Sequence, residues 1–244
     1  MNAPATFALT TLALALSACQ QAPMLTETAE AKPAAVPATT ANPIVVELYQ
    51  SQGCSSCPPA NAALNAVADQ PGVIALSFAV TYWDRLGWKD IFADKAYTQR
   101  QYDYAHALGN ANVATPQIII NGKTVITGIK SGELSKSIAT ARPVSGGPPI
   151  TYGKNGVTIG AGSGSANVWL VRYDPRSHNV AIRSGENTGR NLPHKNIVRS
   201  LVKLGEWKGT SVTFKLPAAA GGPLKTAILI QQSRAGAIIA AKII

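Results

Sequence analysis

Two cysteines three apart, Cys54 and Cys57, are the residues of this 244-residue chain whose type and spacing best suit chemistry. A thiolate attacks a disulfide sulfur to give a mixed disulfide, and a second thiol within reach releases it again. The pair stands in Ser51-Gln52-Gly53-Cys54-Ser55-Ser56-Cys57-Pro58-Pro59, followed by a stretch with Leu64 and Val67 on one helical face. Prolines are tolerated in a first helical turn, where a missing N–H costs little. A thiol at that turn feels unpaired amides and the positive end of the helix dipole, which lower its pKa into the range of roughly 3.5–7.5. Cys54 is therefore expected to be an exposed nucleophile and Cys57 its resolving thiol. The same spacing also fits a purely structural disulfide or a pair of metal-binding thiolates. A second CxxC is absent and the three histidines, His106, His178 and His194, are scattered, so no metal site and no cofactor are expected.

The elements that must hold this pair follow from local pattern. Ile44 to Tyr49 is a short β-branched run after Pro43 and reads as a buried strand. Residues 72–80 read as a strand, 94–108 as a helix, 117–121 as a strand, 123–127 as its hairpin partner across Asn121-Gly122, and 131–142 as a closing helix. The order β-α-β-α-β-β-α is the thioredoxin order, and Thr115-Pro116 stands directly before the third strand. Thioredoxin-like proteins place a cis-proline there, facing the CxxC, so the resemblance implies that Thr115 and Pro116 position a substrate chain. A threonine before that proline also occurs in periplasmic disulfide isomerases.

The chain from about Val45 onward resembles a family of secreted bacterial thioredoxin-like proteins known chiefly as a domain of unknown function. The matching residues are Glu47 to Pro59, Tyr82 to Asp90, Thr115-Pro116-Gln117 and Gly185-Glu186-Asn187-Thr188-Gly189-Arg190. Members usually carry His and Asp where this chain has Ala79 and Thr81, so any tuning of thiol acidity by those groups is missing. The insertion Tyr82 to Phe92 reads either as a packed loop anchored by Trp83 and Trp88 or as a wall beside Cys54 where these two tryptophans contact substrate. Asp84 and Asp90 are expected to pair with Arg85 and Lys89. The Gly185–Arg190 segment lacks phosphate-loop spacing and reads as a structured turn or as a contact surface for the cysteine site.

Residues 143–149, PVSGGPP, mark a boundary. Beyond them, short alternating runs separated by turns predict a small antiparallel β-sandwich-like domain over 150–244. Thirteen basic and three acidic residues lie between Pro143 and Ile244, against eight and seven between Ile44 and Arg142. Nearly all of the net charge of +10 therefore belongs to the second half. That excess fits an anionic membrane surface, a cell-wall polymer or an acidic protein, or serves solubility alone.

Compartment follows from the first residues. Residues 3–18 carry no charge, and the apolar stretch from Phe7 to Leu16 falls well short of the ~20 residues that span a bilayer. Residues 1–18 read as a secretory signal peptide that lacks the usual basic start. Leu16-Ser17-Ala18-Cys19 resembles a lipobox, with Cys19 as the lipidated residue; plain cleavage after Ala18 would leave it a thiol. Residues 19–43 are an Ala/Pro/Thr-rich tether. The composition, 46% apolar and 14% charged, supports a packed core rather than general disorder.

The expectation is an α/β thioredoxin-like domain over 44–142 followed by the basic β-domain, on the periplasmic side of a bacterial membrane and lipid-anchored. Its function would be thiol–disulfide oxidoreduction, direction unread, with a disulfide-bearing protein substrate and a redox partner; nucleic acid is not an expected partner. A thioredoxin-fold binding or scaffold module with an inert disulfide, or a metallochaperone, are the other readings.

Overall fold

The computed structural model describes residues 41–130, 132–218 and 221–244, together with Met1 and Thr39. The signal segment expected over 1–18, apart from Met1, and the lipidation expected at Cys19 lie outside the described residues, as does most of the tether. Among the described residues no helix is long and apolar enough to cross a membrane.

The first half follows the expected order: β1 (Ile44–Gln50), α1 (Pro58–Val67), β2 (Val73–Ala79), α2 (Lys95–Ala107), β3 (Gln117–Ile120), β4 (Thr124–Thr127) and α3 (Glu133–Thr140). A 3-10 turn, Asp84–Leu86, sits within the insertion between β2 and α2. β1 is buried along its whole length, and the two-residue side-chain period splits it between two cores. Ile44, Val46 and Leu48 pack with Leu64 and Val67 of α1 and Leu134 and Ile138 of α3. Val45 and Tyr49 face the other way, toward Tyr97 and Tyr104 of α2. Helix α2 starts where Asp94 accepts a hydrogen bond from the Ala96 amide at 2.7 Å, an N-cap that satisfies one of the orphan donors.

The second half continues with β5 (Ile150–Gly153), β6 (Gly156–Ile159), β7 (Ala166–Asp174), β8 (His178–Ala181), β9 (Asn191–His194), β10 (Ile197–Trp207), β11 (Val212–Phe214), β12 (Lys225–Gln231) and β13 (Ile238–Ile243). Burial alternates strictly in β9, exposed at Asn191 and Pro193 and buried at Leu192 and His194, whereas β5 buries only Ile150.

A separate β-sandwich-like domain after residues 143–149 is not what these strands build. One eight-stranded mixed sheet runs β13-β12-β7-β10-β2-β1-β3-β4 through both halves. The joint is β10 beside β2, parallel, where the Ser77 amide donates to the Asn196 carbonyl at 2.9 Å and the Asn196 side chain donates to the Ala75 carbonyl at 2.9 Å. Residues 143–149 do not behave as a loose linker either: Val144 is buried and its amide donates to the Pro43 carbonyl at 2.9 Å. The sandwich survives in reduced form, as the three-stranded sheet β11-β6-β5 closes a core over one face of the second half's strands. The described residues from Thr39 to Ile244 belong to one compact unit.

Candidate functional site

Strand β1 ends at Gln50, and the chain turns through Ser51-Gln52-Gly53 so that the cysteines fall between the strand end and α1. Proline stands in the first turn of α1, as the sequence predicts, but the N-cap residue is Cys57, whereas the sequence reading places Cys54 at the helix N-terminus. Cys54 and Cys57 form a disulfide with Cα atoms 5.4 Å apart. The Cys57 amide donates to the Cys54 carbonyl at 3.2 Å, and the Cys54 sulfur lies 3.3 Å from the Ser56 hydroxyl.

Thr115 and Pro116, joined by a cis peptide bond, meet this turn from the other side. The Ser56 hydroxyl is 3.4 Å from the Thr115 carbonyl, to which it donates. Beneath them, Gln101 of α2 donates from one nitrogen to the Ala114 carbonyl at 2.8 Å and to the Gln117 side chain at 2.9 Å. The cis-proline loop is thus held by a buried amide network rather than by apolar packing alone.

The insertion between β2 and α2 forms a wall of the site. Trp83 donates its indole N–H to the Thr115 hydroxyl at 2.7 Å, and its Cβ faces Gly53, where an added Cβ would sit at 3.4 Å. Trp88 donates to the Gln52 side-chain oxygen at 2.9 Å. Both tryptophans therefore touch residues flanking the disulfide. Asp84 and Asp90 do not pair with Arg85 and Lys89, whose sequence proximity made those partners the obvious ones. Asp90 is turned inward, 2% exposed, and accepts from the Gln52 amide at 2.8 Å and the Phe92 amide at 2.9 Å. Burial pushes its carboxyl up to about 6, against the pull of those two amides. Asp84 accepts from the Asp90 amide at 3.1 Å.

An exposed Cys54 was the expectation; instead both Cys54 and Cys57 are 0% exposed. The cover comes from the second half of the chain. β8 and β9 form a hairpin, and the segment between them, with Gly185–Arg190 at its tip, lies on the cysteine turn. Asn187, wholly buried, donates to the carbonyls of Gln52 and Cys54 at 2.8 Å each, and the Arg190 guanidinium donates to its side-chain oxygen at 2.8 Å. Glu186 accepts from both the Ser55 amide, at 3.0 Å, and the Ser55 hydroxyl, at 2.7 Å. Those Ser55 hydrogen bonds hold the Glu186 carboxyl below the usual range. Val180, Ile182 and Leu192 of the hairpin pack with Trp88 and Phe92, so insertion and hairpin form one apolar cluster.

Sequence reasoning assigned Cys54, Cys57, Thr115, Pro116, Trp83 and Trp88 to the site, and these six converge in space. It left Glu186 and Asn187 as part of a turn with two readings, and it did not find Asp90 or Ser56. Ala79 and Thr81, at and beyond the end of β2, bring no ionisable side chain. The Thr81 hydroxyl lies 3.0 Å from that of Thr98 on α2.

Among the curated proteins no match is found. Two solved structures are similar. Protein AGR_C_4864 from Agrobacterium tumefaciens is 33% identical with a TM-score of 0.67, over 86% of this chain and 96% of that one. HBP35 of Porphyromonas gingivalis is 12% identical with a TM-score of 0.55, over 84% of this chain and 75% of that one, a likeness of fold alone. Residues 45–231 match the family described as "Protein of unknown function (DUF1223)", and the chain belongs to that family.

Proposed function

We propose that this chain is an exported thiol–disulfide oxidoreductase with a thioredoxin-like active site. The observation that carries the reading is the Cys54–Cys57 disulfide at the start of α1, with Ser56 bridging toward the carbonyl of the cis Thr115-Pro116 pair. In the reduced protein, the Cys54 thiolate attacks one sulfur of a substrate disulfide. A Cys54–substrate bond forms as the substrate S–S bond breaks, and the other substrate sulfur leaves as thiolate. Cys57, deprotonated, then attacks the Cys54 sulfur, restoring the Cys54–Cys57 bond and releasing the second substrate thiolate. Two electrons pass to the substrate, and a partner dithiol must return them. Thr115 and Pro116 hold the substrate chain, and Trp83 and Trp88 line its approach.

Export and a lipid tether at Cys19 rest on the leader pattern, and an anionic surface or cell wall as partner rests on the charge of the second half. Eleven of its thirteen basic residues are exposed, Arg172 being buried and Lys195 half-buried.

The second reading, a binding module with an inert bridge, draws on the burial of both sulfurs. Turnover of a model disulfide, with a mixed disulfide trapped by Cys57→Ala, separates the two. Absence of both, with a Cys54 pKa near that of an ordinary thiol, would leave the inert bridge standing. Stoichiometric zinc or copper uptake that is lost in Cys54→Ser would point to a metal carrier instead.

A further inference from the structure

The carboxylate of Glu186 occupies the amide and the hydroxyl of Ser55, the residue next to Cys54. The two partners stand 131 residues apart, and of the two readings of Gly185–Arg190 in the sequence this contact fits the surface facing the cysteine site. N–H groups of a CxxC turn are the donors that favour a thiolate on the first cysteine, and a nearby negative charge disfavours it. Glu186 does both harmful things at once: it takes the Ser55 donors and places an anion at the turn. The other charged groups around the turn are disposed differently. Asp90 lies beneath it on the Gln52 amide, and Arg190 is directed to Asn187. Among the described residues, the side-chain group within hydrogen-bond distance of the Cys54 sulfur is the Ser56 hydroxyl, at 3.3 Å, and its single proton is contested by the Thr115 carbonyl at 3.4 Å.

We infer that Glu186 is a positioning residue for Cys54, whose charge opposes formation of the thiolate and so holds the pair toward its disulfide. Resting on the oxidoreductase reading, this gives it a direction: a pair whose reduced form is disfavoured passes electrons on rather than accepting them. The equilibrium concerned is the reaction of the Cys54–Cys57 disulfide with two glutathione thiols. It breaks the protein S–S bond, forms one glutathione disulfide and leaves two protein thiols.

The test compares the full chain with Glu186→Gln and Glu186→Asp, all carrying Cys19→Ser so that only Cys54 and Cys57 titrate. Glu186 is exposed, so these changes leave the core untouched. Glu186→Gln keeps an acceptor for Ser55 and removes the charge. Thiolate absorbance near 240 nm of the reduced protein should show the Cys54 pKa lowered by roughly one unit. At pH 8.5 the glutathione equilibrium should shift roughly threefold or more toward the dithiol, with Glu186→Asp returning toward the parent. Equal pKa and equal equilibrium in parent and Glu186→Gln, or the same change in Glu186→Gln and Glu186→Asp, would overturn the inference, because a structural role does not distinguish charge. No protein substrate enters the measurement. Failure to turn over a substrate would therefore count against the proposed function and not against this one.

Discussion

Arg100 of α2 holds its Nε 2.7 Å from a carboxylate oxygen of Glu47 on β1, and both side chains are sealed inside the protein. Gln231 of β12 accepts from the same guanidinium at 3.1 Å, Tyr104 bonds to Glu47, and the Trp169 ring lies 5.3 Å away. Burial alone would lower the Arg100 pKa, but Glu47 against it keeps the guanidinium more firmly charged than usual. Removing one member leaves an uncompensated buried charge, which costs about 3–5 kcal/mol, whereas replacing both by apolar residues costs far less. Glu47→Leu should therefore lower the urea midpoint sharply, and Glu47→Leu with Arg100→Met should recover most of the loss.

The same network binds the two halves of the sequence. Residues 41–142 alone would lack Gln231, would bare the β2 edge that β10 covers, and would lose Val171, Tyr173, Val198, Leu229 and Ile238 from the core around α2. That fragment should fail to give dispersed amide signals in NMR spectra. The full chain should unfold in one transition, coincident by tryptophan fluorescence and far-ultraviolet circular dichroism. Two separated transitions would restore the independent second domain.

This is where the sequence stops being legible. Hydrophobic alternation identifies strands such as Val168 to Asp174, yet nothing in a strand's own residues names the edge it joins. The turn chemistry of Cys54 to Pro59 is local, so the position of the disulfide at α1 is readable from the spacing. The cover over it is not, because Glu186 and Asn187 meet the turn across more than a hundred residues. Asp90 is harder still: beside Lys89 it looks like half of a surface pair, and only the fold turns it inward.

Two buried groups give stability opposing dependences on pH. The His194 ring is 1% exposed with both nitrogens unpartnered, and burial, helped by His178, lowers its pKa to about 4. Unfolding lets it return to about 6.5, so the unfolded chain binds the extra proton between those values and acidification destabilises. Asp90 is the reverse. Its folded value of about 6 lies above the unfolded 3.8, so the folded protein binds the extra proton and acidification stabilises. Each effect reaches about 3 kcal/mol and they largely cancel. Relative to the parent, His194→Phe should gain stability as pH falls from 7.5 to 4.5, and Asp90→Asn should lose it. Denaturant unfolding at the two pH values reads both, and slopes equal to the parent's would show that neither group is perturbed.

Gly122 closes the β3–β4 hairpin with φ of +68°, and an added Cβ would lie 2.3 Å from the Gly236 carbonyl oxygen. The Ile238 amide donates to the Asn121 carbonyl at 3.0 Å, so the clash cannot be relieved without parting hairpin from β13. Gly164, with φ of +96°, has nothing within 4 Å of that position. Gly164→Ala should cost only the backbone term of about 1–2 kcal/mol. Gly122→Ala should cost well beyond that, by thermal or urea unfolding.

Asn187 holds the cover by donating to the carbonyls of Gln52 and Cys54 at 2.8 Å. Asn187→Ala strands the buried Gln52 carbonyl, leaves the Cys54 carbonyl with the Cys57 amide alone and releases Arg190, at about 1–3 kcal/mol for the group left unsatisfied. Reduction of the bridge requires an incoming thiolate to reach a sulfur, and neither sulfur is accessible while the cover is down. Weakening the cover should therefore speed reduction of Cys54–Cys57 by dithiothreitol several-fold in the absence of denaturant. General loss of stability would do the same only through global unfolding, which Gly164→Ala controls for, since it weakens a loop that makes no contact with the cysteine turn. A parent rate in Asn187→Ala would mean that thiols reach the bridge by a route that leaves the hairpin closed.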